Sequence, residues 1–166
     1  LIIEKLTFRS RSPQRGEIVV FNSPYSFDPV LKQSTSYSRL KCTAVNLPII
    51  SVILGVNYPA CSAYIKRVVA IGGDQVSVNR EGQVFINNIK IEEPYVKRFC
   101  SANLNEYIPC NPLFGTVPLG NVLVLGDNRS NSWDGRFWPG TNFLPENQII
   151  GRAVWRFWPF NRIGSL

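Results

Sequence analysis

Short runs of β-branched and aromatic residues, punctuated by turn residues, dominate the chain, and each predicts a strand. Residues 17–21 (EIVVF) form one such run, directly after the turn-like stretch 13–16 (PQRG). From residue 64 onward, strict alternation places Tyr64, Lys66, Val68 and Ala70 on one face and Ile65, Arg67, Val69 and Ile71 on the other. The stretch 72–74 (GGD) ends that strand. Residues 75–78 and 83–86 flank 79–82 (NREG), the pattern of a hairpin with glycine in its turn. Residues 122–125 (VLVL) read as a strand that delivers Gly126, and 149–158 as a last one, ending at Pro159. No stretch shows a sustained helical period with caps. The expected fold class is therefore mostly β, built from antiparallel strands.

Two regions interrupt this pattern. Residues 22–60 form a long connection rich in proline and glycine. It contains an apolar run at 47–56, broken by Pro48, Ser51 and Gly55. That run falls short of the roughly 20 apolar residues a membrane-spanning helix needs. Residues 80–119 begin with the hairpin and then become loop-rich.

Composition narrows the classes. With 45% hydrophobic and 17% charged residues, the 166-residue chain is globular, sized for one domain or one domain with a sizeable insertion. Its net charge of +7 suits nucleic acid or an anionic membrane surface, and the basic residues are too scattered to choose between them. The chain begins at Leu1 and contains no methionine, so it is expected to be part of a longer protein, with any membrane anchor outside these residues. Cysteines stand at 42, 61, 100 and 110, without a CxxC pair or a histidine to complete a zinc site. The even count fits disulfides in an oxidising compartment. Of three possible connectivities, Cys42 with Cys61 and Cys100 with Cys110 closes the shortest loops and is the expectation. Reduced thiols are the alternative.

The candidate chemistry comes from two segments and one absence. The chain has no histidine, which excludes a Ser-His-Asp triad and leaves a serine-lysine dyad open. Residues 64–74 (YIKRVVAIGGD) place Lys66 among Ile65, Val68 and Val69. A lysine acts as a base only when neutral, and at a pKa near 10.4 about one in a few thousand is neutral at pH 7. Burial or a neighbouring positive charge lowers that pKa. The competing reading puts Lys66 on the exposed face of an edge strand. Residues 126–136 (GDNRSNSWDGR) begin with a glycine that lets another group approach the backbone closely. A calcium-loop reading from Asp127 fails, because Arg129, Ser132 and Trp138 stand where ligands and the turn glycine are needed.

Together these two motifs resemble the type I signal peptidases, membrane-bound serine proteases that remove signal peptides from exported preproteins. The resemblance spans residues 1–21, 64–88 and 122–163, and the wording of 151–159 (GRAVWRFWP) looks most like cyanobacterial or plastid members. It implies an antiparallel β catalytic core, residues 1–79 and 120–166 with the long 22–60 connection, interrupted by a smaller β-rich second domain at 80–119. It implies that Lys66 is the general base, packed at Gly126, with Ser132 orienting it and Asp134 and Arg136 forming a supporting ion pair. Asp127 is expected to pair with Arg67. Tyr64 and Ile65 would shape the small pockets for positions −1 and −3 of an extended peptide paired to this strand. The family's nucleophile lies in a Ser-x-Met-x-Pro motif just before a segment like 1–5 (LIIEK); these residues lack it, so by themselves they are expected to be inactive.

No metal or organic cofactor is implied. The implied partners are signal peptides of preproteins and a membrane surface, with no nucleic acid. The implied location is a membrane anchor through a preceding segment, with the catalytic domain on the periplasmic or thylakoid-lumen side. Residues 155–162, which alternate aromatics with arginines, suit a bilayer interface together with 47–56. The rival readings are a nucleophile-lacking membrane scaffold and a basic β domain that binds nucleic acid. A self-cleaving repressor is a third, which the full 126–136 motif argues against.

Overall fold

The computed structural model describes residues 2–34, 62–100, 110–156 and 160–165. The strands are β1 (Ile2–Glu4), β2 (Ile18–Asn22), β3 (Ala63–Ile71), β4 (Gln75–Val78), β5 (Val84–Ile86), β6 (Ile89–Lys90), β7 (Leu113–Thr116), β8 (Asn121–Leu125), β9 (Leu144–Pro145), β10 (Ile149–Arg156) and β11 (Gly164–Ser165). Among the described residues, two short helices, α1 (Thr7–Ser10) and α2 (Pro29–Ser34), accompany the strands with a few 3-10 turns. The fold is mostly antiparallel β. Among the described residues, no helix is long and apolar enough to cross a membrane.

The described strands form two sheets. The larger runs β1-β10-β2-β3-β8-β9, with β11 also paired to β10; the smaller runs β6-β5-β4-β7. Strand β4 belongs to the smaller sheet, which therefore draws on residues ahead of position 80.

The central strands of the larger sheet read as nearly continuous apolar runs because both faces are covered. Val19, Phe21, Val68, Val122, Val124, Trp138 and Leu144 cluster on one face. On the other, Val69, Ala70, Leu123 and Leu125 pack against Val76, Val78, Val84, Ile86 and Leu113 of the smaller sheet. At about 1.5–3 kcal/mol for each large aliphatic side chain buried, this shared core is a principal source of stability.

Local chemistry accounts for the turns. Gly82 closes the β4–β5 hairpin at φ +79°, a conformation that side chains with a Cβ resist. Asn87 and Asn88, both at positive φ, form the two-residue connection from β5 to β6, the geometry a tight hairpin requires.

The predicted alternation along β3 holds only as far as Val68. The pairing with β8 shifts register between Val68 and Ala70. An irregularity of this kind moves the following side chains across the sheet. Ala70 accordingly joins Val69 in the inter-sheet core, and Ile71 packs with Tyr64 and Val68 on the opposite face. The expectation that Ala70 shares a face with Lys66 is corrected by that bulge. The last predicted strand is seen to Arg156. Cys42, Cys61, residues 47–56 and Trp158 lie outside the described residues.

Candidate active site

Lys66 enters the site from β3, directly across from Val19 of β2 and two residues before the fully buried Val68. Its side chain thus emerges on the larger sheet's apolar face. Burial pushes the ammonium's pKa down. Asp134 pulls it up, Arg136 pushes it down and Asp127 pulls it up, and the net direction is downward. Desolvation dominates because an ammonium among valines loses hydration that one carboxylate, already paired elsewhere, does not replace.

Gly126 follows β8, on the side of the sheet that carries Val122 and Val124. A Cβ there would lie 2.6 Å from Ser132 Cβ and 3.7 Å from Lys66 Nζ. Only glycine lets Ser132 close over the strand end, and Lys66 reaches the same spot. Ser132 is 5% exposed, and its Oγ has no hydrogen-bond partner. The Ser132–Lys66 hydrogen bond that the sequence resemblance implies is therefore not formed here, although both side chains converge on Gly126.

The loop that carries Ser132 is held from inside. Asp134 Oδ2 accepts the Gly126 amide at 3.0 Å. The same carboxylate pairs with Arg136, at 2.8 Å from Nε and 2.9 Å from Nη2. Both side chains are 0% exposed. Arg136 Nη2 also donates to Arg129 O at 3.0 Å, and Nη1 donates to Cys110 Sγ at 2.9 Å. Cys100 and Cys110 form a disulfide, with Cα atoms 5.7 Å apart. Arg67 and Asp127 pair through two hydrogen bonds of 2.9 and 2.7 Å, linking β3 to the start of the loop.

Tyr64 and Ile65 diverge. Tyr64 stacks on Phe21 at 6.1 Å and meets Trp133 at 6.0 Å, on the Lys66 face. Ile65 points the other way and is 41% exposed. Beside them the sheet is incomplete: β2 pairs with Ala63 through Arg67, whereas β8 pairs only from Arg67 onward. Among the described residues, the other edge of Ala63–Lys66 carries no strand, and an extended peptide fits such an edge.

Sequence reasoning missed Trp133, whose ring covers Tyr64 and stacks on Tyr25 at 6.1 Å. It also missed the buried pair Arg129–Glu93. An arginine inside the 126–136 motif was the available signal; its partner, 36 residues away, had none. Among the described residues, no cluster of three or more histidine, cysteine, aspartate or glutamate side chains is arranged to hold a metal ion.

Residues 1–158 match the family described as "Signal peptidase, peptidase S26". The chain is 36% identical over 166 residues to a probable signal peptidase I-2 of Synechocystis sp., covering 100% of this chain and 58% of that protein. It is 36% identical over 168 residues to a signal peptidase I of Leptolyngbya laminosa, with 100% and 63% covered. It is 33% identical over 165 residues to the chloroplastic thylakoidal processing peptidase 1 of Arabidopsis thaliana, with 99% and 38% covered. The chain thus spans less than two thirds of the length of these relatives. A crystal structure of a signal peptidase I from Enterococcus faecalis V583 matches with a TM-score of 0.52 at 22% identity, covering 87% of this chain and 98% of that one. At that identity the likeness concerns the fold.

Proposed function

Since the chain belongs to the signal peptidase family, peptidase S26, we propose that it is the extramembrane part of a type I signal peptidase that works through a serine-lysine dyad. The observation that carries this reading is the convergence of Lys66 Nζ and the unpartnered Ser132 hydroxyl on Gly126. A buried hydroxyl without a partner is costly, and one beside a desolvated lysine is placed to orient it.

In the proposed reaction an extended signal peptide pairs along the open edge of Ala63–Lys66. The nucleophile is a serine contributed from sequence beyond residues 1–166, and these residues alone would be inactive. Neutral Lys66 takes the proton from that serine as its oxygen attacks the scissile carbonyl. The resulting ammonium returns the proton to the leaving amine as the C–N bond breaks, which leaves an acyl-enzyme. Lys66 then takes a proton from water, whose oxygen attacks the ester, and returns it to the serine. Ser132, whose hydroxyl is otherwise without a partner, is placed to accept a hydrogen bond from Lys66 during the reaction and so to orient it. Tyr64, on the Lys66 face of β3, lines the side on which alternate substrate side chains fall, whereas Ile65, on the opposite face, meets the side chain between them.

The edge formed by β1 and β10 supports a membrane-facing role. Ile2, Leu6, Trp155 and Phe160 are all exposed there or in the adjoining turns, the composition of a bilayer interface. In this reading the domain lies on the extracytoplasmic side, anchored by a segment outside these residues.

The test is cleavage of a signal-peptide-bearing preprotein by the natural full-length chain beside its Lys66→Ala variant. Cleavage that vanishes in the variant supports the reading. Equal cleavage by both removes Lys66 as the base, and no cleavage by the folded unaltered chain favours the scaffold reading.

A further inference from the structure

We propose that Glu93 and Tyr95, on the segment after β6 of the smaller sheet, are positioning residues for the Lys66–Ser132 pair and act through Arg129 and Arg67 on the Gly126 peptide. The proposal rests on the reading of Lys66 as the base.

Gly126 is the point on which the two side chains converge, and both its backbone polar groups are engaged. Its N–H donates to Asp134, within the same loop. Its carbonyl accepts from Arg129 Nε at 3.1 Å. Arg129 is held from outside the loop: Nη1 donates to Glu93 Oε2 at 2.9 Å, and Nη2 to Glu93 Oε1. Nη1 also donates to the Gly82 carbonyl in the β4–β5 turn, and the Arg129 amide donates to Arg98 O at 2.9 Å. The side chains of Arg129 and Glu93 are 0% and 2% exposed. Charges this deep have no water to fall back on, so each fixes the other's geometry.

Tyr95 extends the grip to Asp127, the residue after Gly126. Its hydroxyl donates to Glu93 Oε1 at 2.9 Å. Burial, then the neighbouring Glu93 charge, hold that hydroxyl's pKa well above its usual range, so it remains a donor. The Arg67 guanidinium lies 4.1 Å from the centre of the Tyr95 ring. Arg67 follows Lys66 in β3 and pairs with Asp127, the residue after Gly126. Glu93 and Tyr95 therefore brace the Gly126–Asp127 step by two routes, through Arg129 and through Arg67. Glu93 and Tyr95 make their hydrogen bonds and ring contact with each other, Arg129 and Arg67, and Glu93 is too buried to meet a substrate. Both act by fixing where the strand end sits beneath Lys66.

The consequence reaches Lys66 through hydration. The charged groups that face it are Asp134 and Arg136 from the loop and Asp127 after β8, and none of them is altered in the variants below. If Gly126 loses its brace, the cradle loosens, water reaches the ammonium, and the desolvation that depresses Lys66 is relieved.

The experiment compares the natural full-length chain with Glu93→Gln and Tyr95→Phe. Expected for Glu93→Gln is a fall in kcat of about tenfold to a hundredfold, as for a small misplacement of a base, with KM within about twofold. The acid-side midpoint of the kcat/KM profile should move upward. Titration of Lys66 by NMR on lysine-labelled protein should move in the same direction. Tyr95→Phe keeps the ring over Arg67 and should give a smaller change of the same kind, and it serves if Glu93→Gln does not fold. Folded variants with unaltered kcat and unaltered Lys66 titration would overturn the proposal. So would a kcat that falls only in proportion to the unfolded fraction. If the unaltered chain cleaves no preprotein but Lys66 titration still moves in Glu93→Gln, the protease reading fails and the positioning role stands.

Discussion

Asp134 accepts the backbone amide of Gly126 at 3.0 Å with the same carboxylate that binds Arg136. One buried ion pair thereby fixes the end of β8, and the cradle of Lys66 is built around that fixed point. The pair is worth more as geometry than as net stability, because two buried charges forfeit hydration that their attraction barely recovers.

Breaking the pair from one side should therefore be severe. Asp134→Asn leaves the Arg136 guanidinium buried without its counter-charge and is expected to cost about 3–5 kcal/mol of folding stability. Urea unfolding measures this. A loss below about 1 kcal/mol would mean that Arg136 finds another partner.

Ser132→Ala should separate activity from stability. The hydroxyl is buried and makes no hydrogen bond, so its removal should change stability by less than about 1 kcal/mol. Cleavage by the full-length chain should still fall by about tenfold to a hundredfold, because Lys66 loses its orienting partner. Normal cleavage with lowered stability would reverse the assignment.

Lys66 should leave a signature in the pH dependence of stability. Its folded pKa is depressed, while its ordinary value is 10.5. Between those values the unfolded chain holds a proton that the folded chain does not, so stability rises with pH across that window. Below the depressed pKa the burial cost is present in full. Lys66→Met should therefore gain most over the unaltered chain at neutral pH, with the gain shrinking as pH approaches 10.5. Urea midpoints at pH 7 and pH 10 test this; a gain that grows with pH would contradict it.

The exposed edge predicts vesicle binding. Trp155 is 42% and Leu6 68% exposed. The double change Trp155→Ala with Leu6→Ala is expected to weaken binding to anionic vesicles by about tenfold or more. Unchanged binding in a sedimentation assay would remove this edge as the contact surface.

The long strands were legible in the sequence because both faces of β2, of β8 and of β3 at Val68–Ala70 are buried, which demands nearly continuous apolar runs. Edge pieces such as Ile89–Lys90 and Leu144–Pro145 were not legible. Two residues carry no period, and their pairing is conferred by neighbours already in place. The β3 bulge was hidden for a related reason, since 66–71 (KRVVAI) fits either register and only the pairing with β8 decides. At the site, Lys66 stood out as a lysine in an apolar strand, and Gly126, Ser132, Asp134 and Arg136 as a dense polar loop after one. Glu93 carried no signal in the sequence, because its burial depends on Arg129 arriving from the turn after β8.

The most direct measurement is the pH dependence of kcat/KM for the natural full-length chain on a signal-peptide substrate, beside Lys66→Ala. Expected is a rate that climbs with pH on the acid side with a single midpoint below the ordinary lysine value of 10.5, and no measurable rate in the variant. A flat acid limb, or a variant that cleaves as fast as the unaltered chain, would contradict it.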